Sequence, residues 1–149
     1  ALVAACRYGP GGRGYAGSSR PARYGRKPMA EHIADSNAQA VVIAQIEDLE
    51  ALDAIDDILH VDGIDAFFIG RADLTVALGC TNPDDPQVVA AVERICAAGR
   101  AAGACIGMFF ARASDATHWR AQGASFFALQ SDHAFLLAGA EALARAAAD

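Results

Sequence analysis

Positive charge is what this chain is short of: 12 Lys and Arg residues stand against 18 Asp and Glu, a formal net charge of −6. Binding to nucleic acid or to an anionic membrane draws on clustered cations that release counterions, so neither partner is expected. The one basic cluster, Arg7 to Lys27, lies in a Gly-rich stretch without heptads, Cys/His spacing or an aromatic platform. The four cysteines, Cys6, Cys80, Cys96 and Cys105, form no CxxC pair and no regular framework. Each sits among apolar or small residues, as structural thiols do, and no thiol nucleophile is expected. No signal-peptide pattern and no apolar run of about 18 residues is read in these residues, and a reducing cytoplasm is the expected setting. An initial methionine is missing as well. Ala1-Leu2-Val3-Ala4-Ala5-Cys6 reads as the last turns of a helix, and the expectation is a fragment of a longer protein.

What is present is a buried, soluble composition, 54% hydrophobic and 20% charged over 149 residues, which suits one ordinary domain. Residues 7–28 are rich in Gly, Pro, Ser and Arg and are expected to form a long loop. A short helix follows from Met29 to Asn37, with Pro28 suited to its start. A first strand is expected over 40–47. Between Asp48 and His60, Leu49, Leu52, Ile55, Ile58 and Leu59 recur at helical spacing, with Glu50, Asp53, Asp56 and Asp57 on the wet face. The second strand is expected over 64–70, with a short helix over 72–78 stopped by Gly79. A long helix over 87–102 should turn Val88, Val92, Ile95 and Cys96 inward. The third strand runs over 104–110, and Ser114 should cap a helix to Gln122. The fourth strand, 125–131, leads into a last helix over 133–148.

Four successive βα units result, and their strands are continuous apolar runs, as in a parallel sheet covered on both faces. A doubly wound sheet usually carries a Gly-rich fingerprint after its first strand, and Gln45-Ile46-Glu47-Asp48 is not one. Half of a (β/α)8 barrel needs only repeated units with function at the C-terminal strand ends, and this α/β architecture is the one expected, as a single partial barrel domain over 1–149. Residues 1–39 are the loop and helix before the first strand, and 40–149 the four units.

Glu47 and Asp73 then fall at the C-terminal ends of adjacent parallel strands, which lie about 4.8 Å apart. Acids so placed can share a hard divalent cation through oxygen ligands. The plainer alternative is a pair of helix-capping carboxylates. Asp48 and Asp65 read as cap and surface residues, and Asp132 as a cap for the last helix in preference to a pocket-lining residue. His32, His60 and His118 read as structural, whereas His133 lies just past the fourth strand, near the mouth. Arg7 and Arg13 could supply positive potential to an anionic ligand or stay solvated. Trp119 and the pairs Phe67-Phe68, Phe109-Phe110 and Phe126-Phe127 read as core or interface.

The ordered series Arg7-Tyr8-x-Pro10-x-Gly12-Arg13-Gly14, Gln45-Ile46-Glu47, Phe68-Ile69-Gly70-x-Ala72-Asp73-Leu74 and Phe127-Ala128-Leu129-x-Ser131-Asp132 resembles the HpcH/HpaI aldolase/citrate lyase family. The match covers essentially the whole chain and corresponds to the C-terminal part of a (β/α)8 barrel of about 250 residues. The resemblance implies a carbon–carbon lyase: reversible aldol cleavage of a 4-hydroxy-2-oxo or 2-keto-3-deoxy acid to pyruvate and an aldehyde. It implies Glu47 and Asp73 as ligands of Mg²⁺, Mn²⁺ or Co²⁺, and Gln45 beside the pyruvyl group. It implies the Ala72 and Asp73 amides as the seat of the pyruvate carboxylate; Arg71, which could bind a substrate carboxylate or point to solvent, and Arg7 and Arg13 are candidates for further substrate contacts. Lys27 is the sole lysine, so a metal-stabilised enolate is expected and a Schiff base is not. The family's base and ketone-polarising arginine are expected upstream of Ala1, so no catalytic residue is assigned within the chain. Where Gly9 and Arg71 stand the family usually has proline. Members of the family are commonly homo-oligomers. Two alternatives stay open: an acyl-CoA lyase like the citrate lyase β subunit, and a catalytically empty half-barrel that acts through association, since four open strands leave two unpaired edges.

Overall fold

Alternation of apolar runs with amphipathic stretches gives a helix–strand alternation in the computed structural model, which describes residues 1–148. The residues fall into two compact units, Ala1–Ala44 with Val61–Ala66, and Gln45–His60 with Phe67 onward.

In the first unit, α1 (Leu2–Cys6) leads into the Gly-rich loop, which tightens into one 3-10 segment at Arg20–Gly25. Pro21 starts that segment, and Arg23 and Tyr24 end it in the left-handed region, with φ of 52° and 56°. Helix α2 (Met29–Gln39) begins directly after Pro28. Asn37 clamps the loop, accepting from the Tyr8 N–H at 2.8 Å and donating to the Tyr8 carbonyl at 2.9 Å. His32 is buried between the rings of Tyr8 and Tyr15, at 5.6 and 5.7 Å. Its packing is the structural role expected of it.

Four strands, β1 (Ile43–Ile46), β2 (Ala66–Ile69), β3 (Ile106–Phe110) and β4 (Ala124–Leu129), form one sheet in the order β1-β2-β3-β4. The pairs β2–β3 and β3–β4 are parallel. The α/β half-barrel topology read from the sequence is therefore present, with strands shorter than the apolar runs that encode them. In the second unit α5 (Arg71–Ala77) follows β2, α6 (Pro86–Ala102) precedes β3, and α7 (Asp115–Ala121) precedes β4. Helix α8 (Asp132–Ala148) follows β4.

One face of this sheet is core. Ile69, Met108 and Phe110 are buried, as are Val88, Val92, Ile95 and Cys96 of α6 and Trp119 of α7. Helix α6 comes so close to β3 that a Cβ on Gly99 would meet Ile106 Cγ1 at 2.3 Å. Gly103 closes α6 in the left-handed conformation, with φ of 66°. On the opposite face Phe68 and Phe126 meet edge to face at 5.8 Å across Gly107.

Several expectations need correction. The stretch 48–60 is two short helices, α3 (Leu49–Asp53) and α4 (Ile55–Leu59), broken at Ala54 with ψ of 17°. Leu52, Ile55 and Leu59 are all buried across that break. The apolar spacing thus survives the kink, and periodicity could not reveal it. Ser114 makes no capping hydrogen bond, because its hydroxyl is turned to the Asp115 carboxylate at 3.3 Å. Nor is every strand covered on both faces: Phe109, Phe126 and Leu129 are exposed, and no residue of α8 is buried.

Two outcomes follow from this packing. Gly107→Ala would push a Cβ to within 2.5 Å of Phe126 Cδ1 and 2.8 Å of the Phe126 carbonyl oxygen. It is expected to destabilise the protein by about 1–3 kcal/mol, as overpacking does, read as a lower midpoint in urea. Burial lifts the Cys96 thiol from 9.0 to about 11, against the pull of Arg100 and with help from Glu93. Because the folded value is raised, the contribution of a protonated Cys96 is complete below pH 9.0 and fades as pH passes 11. At pH 8 a disulfide reagent should label Cys96 only at the rate of unfolding.

Candidate active site

Strand β1 ends by alternating exposed Gln45, buried Ile46 and half-buried Glu47, so the amide and the carboxylate project to the same side. The Gln45 side-chain amide donates to Glu47 Oε2. The Gly70 N–H donates to the Ile46 carbonyl at 2.9 Å and ties the turn after β2 to this strand end. At Gly70 the backbone itself forms the wall of the site. A Cβ there would lie 2.6 Å from Glu47 Oε2 and 2.8 Å from Gln45 Nε2.

Gly70 is also the N-cap of α5, and its carbonyl accepts from Leu74 N–H at 2.9 Å. Ala72 and Asp73 follow in the first turn, both exposed. A carboxylate at that position is favoured by the helix dipole. At β1 the capping role falls to a different residue. Asp48 accepts from the Ala51 N–H at 2.7 Å and caps α3, as expected of it. Glu47 is thereby left free of that role, which weakens the capping alternative for it.

Among the described residues no group of three or more His, Cys, Asp and Glu side chains gathers as a metal cluster. A magnesium-type ion commonly takes only one or two carboxylates and completes its shell with water and substrate oxygens. Glu47 and Asp73 are oxygen donors of the kind such an ion takes, and Glu47 packs directly against Gly70 with its Oε2 engaged by the Gln45 amide.

Arg71 does not simply point to solvent. Its Nη2 donates to the Pro83 carbonyl at 2.6 Å and to Asp84 Oδ1 at 2.9 Å, and its guanidinium lies 5.5 Å from the Trp119 ring centroid. The residue lines a pocket of about 400 Å³ together with Ala72, Phe109, Phe110 and Arg112. Sequence reasoning passed over Arg112, although its place just beyond β3 repeats that of Arg71 beyond β2. Arg7 and Arg13 belong to the first unit. There Arg7 donates to the Asn37 carbonyl and pairs with Asp65 at 3.5 Å, while Arg13 stacks over Tyr8 at 4.8 Å. Asp65 in turn accepts from Val42 N–H at 2.7 Å, so it is more than a surface residue.

Of the remaining histidines, His60 contacts the Asp56 carbonyl at 2.6 Å, and His118 lies edge-on to Trp119 at 4.7 Å. His133 is exposed and contacts Ser131 Oγ at 3.1 Å. Asp132 accepts from the His133 N–H at 2.8 Å at the start of α8.

The model of the HpcH/HpaI aldolase/citrate lyase family matches residues 1–138. The chain belongs to that family. The 4-hydroxy-2-oxo-heptane-1,7-dioate aldolase of Salmonella typhimurium is 43% identical over 145 residues, 95% of this chain and 54% of the relative. The solved HpcH/HpaI family protein of Burkholderia cenocepacia superposes with a TM-score of 0.88 at 30% identity, over 99% of this chain and 59% of that one. The HpcH/HpaI aldolase of Desulfitobacterium hafniense gives 0.78 at 29% identity, over 97% and 56%. The chain spans about half the length of the curated relatives it matches. Gly9 has a φ of +152°, which a proline ring cannot adopt.

The bare backbone at Gly70 has a measurable consequence. Gly70→Ala is expected to cost about 1–3 kcal/mol through forced displacement of Glu47 and Gln45, whereas removing the exposed Asp48 cap should cost about 1 kcal/mol. Urea midpoints of the two variants would check the order.

Proposed function

We propose that this chain is a partial (β/α)8 barrel domain of a divalent-metal-dependent carbon–carbon lyase. Its reaction would be the reversible aldol cleavage of a 4-hydroxy-2-oxo or 2-keto-3-deoxy acid to pyruvate and an aldehyde. The observation that carries the reading is Glu47: its carboxylate is held by Gln45 against the bare backbone of Gly70, while the neighbouring cap is made by Asp48. Family membership supports the reaction class.

Glu47 and Asp73 would hold the ion, Mg²⁺, Mn²⁺ or Co²⁺. Bound there, it supplies Lewis-acid stabilisation of the negative charge that develops on a 2-oxo group. Gln45 orients Glu47 and presents its amide beside the pyruvyl group. The Ala72 and Asp73 N–H groups, in the first turn of α5, receive the substrate carboxylate, since first-turn donors lack intrahelical partners. Gly70 keeps the carboxylate and the turn in contact without an intervening side chain.

Pyruvate titrated with Mn²⁺ gives the test. The folded chain should enhance relaxation of the pyruvate methyl protons, and Glu47→Gln or Asp73→Asn should weaken that binding by about tenfold or more, the loss of a charged ligand contact. A folded chain that leaves the methyl protons at the rate of free Mn²⁺ and pyruvate would sink the proposal.

A further inference from the structure

Asp73 stands on a piece of chain that needs outside support. Helix α5 has seven residues, well short of a helix that holds itself together in water, and its N-cap, Gly70, has the most permissive backbone and no side chain to cap with. Asp73 itself is exposed. Two ties hold the start of this helix. One is the Gly70 N–H on the Ile46 carbonyl, and the other is Arg71, the first residue of α5. The Arg71 side chain is only 15% exposed, with Nη2 bonded to the Pro83 carbonyl and Asp84 Oδ1 and the guanidinium against Trp119. The Arg71 carbonyl also accepts from the hydroxyl of buried Thr75 at 2.7 Å. Pro83 and Asp84 precede α6 and Trp119 lies in α7, so one side chain anchors the start of α5 to two further parts of the fold.

We propose that Arg71 and Asp84 are positioning residues for the metal site. They touch neither ion nor substrate, and they aim the first turn of α5 so that Asp73 serves the same ion as Glu47. That role rests on the reading of Glu47 and Asp73 as metal ligands. Its signature is a sign. A guanidinium repels a nearby cation, so removing Arg71 tightens Mn²⁺ if charge alone acts and weakens it if the turn is being aimed.

The Mn²⁺ affinity of the full chain, read from the electron paramagnetic resonance of the free ion in about 0.15 M salt to screen distant charges, gives the test. Arg71→Ala should weaken Mn²⁺ about tenfold, and Asp84→Ala, at a side chain 61% exposed, about threefold. Arg71→Pro should bring the affinity back to within about twofold of the parent, because proline suits the first helical position and its ring fixes φ from within the turn. In that background Asp84→Ala should have no further effect, since only the exposed Arg112 contact at 4.0 Å remains to Asp84. A merely structural role would lower the urea midpoints of these variants without moving the Mn²⁺ affinity of the folded chain, and that result would overturn the proposal. Tighter binding by folded Arg71→Ala would overturn it too, as would Arg71→Pro binding as weakly as Arg71→Ala. A parent chain that binds no Mn²⁺, or whose Mn²⁺ binding survives Glu47→Gln and Asp73→Asn unchanged, would overturn the metal reading and the proposal together.

Discussion

The close approach of the β2–α5 turn to the end of β1 is the constraint on which the candidate site depends. Gly70 has no Cβ, so the Glu47 carboxylate and the Gln45 amide can rest against its backbone, and its N–H holds the Ile46 carbonyl. The same residue begins α5 and sets the direction of Ala72 and Asp73. Strand end, turn and helix start are thus coupled through one unsubstituted backbone position. Any side chain there would separate the two carboxylates' supporting elements.

The second organising interaction is the Arg71 guanidinium. Lodged against Trp119 and bonded to the loop residues Pro83 and Asp84, it fastens the start of α5 to the segment before α6. At a position where the resemblance led to an expectation of proline, Arg71 acts as a structural tie. Proline would fix the turn through its ring, whereas Arg71 fixes it through contacts outside the turn. The core side of the sheet, with Met108, Phe110, Val92 and Ile95 closed to solvent, supplies the rigid base for both.

Much of this was legible from residues alone. Continuous apolar, β-branched and aromatic runs located all four strands, and the positions of Val88, Val92, Ile95 and Cys96 predicted the buried stripe of α6. Asp48 as a cap and His32 as a packed residue were also readable. The break at Ala54 was not, because a kink that keeps Leu52, Ile55 and Leu59 on one side leaves their spacing unchanged. Ser114 looked like a cap, but the neighbouring Asp115 carboxylate competes for its hydroxyl. That Arg112 and Phe109 share a pocket wall with Ala72 was not readable, since such a wall is made by residues distant in sequence.

By itself, the sequence determined the α/β class, the family and the candidate metal carboxylates, because periodicity and motif order are properties of neighbouring residues. Only the tertiary structure decided that Gly70 forms the wall against Glu47, that Arg71 is tied down, and that Arg112 and Phe109 share a pocket with Ala72. Those facts depend on how closely strand ends approach one another, and closeness between separated segments is set by packing.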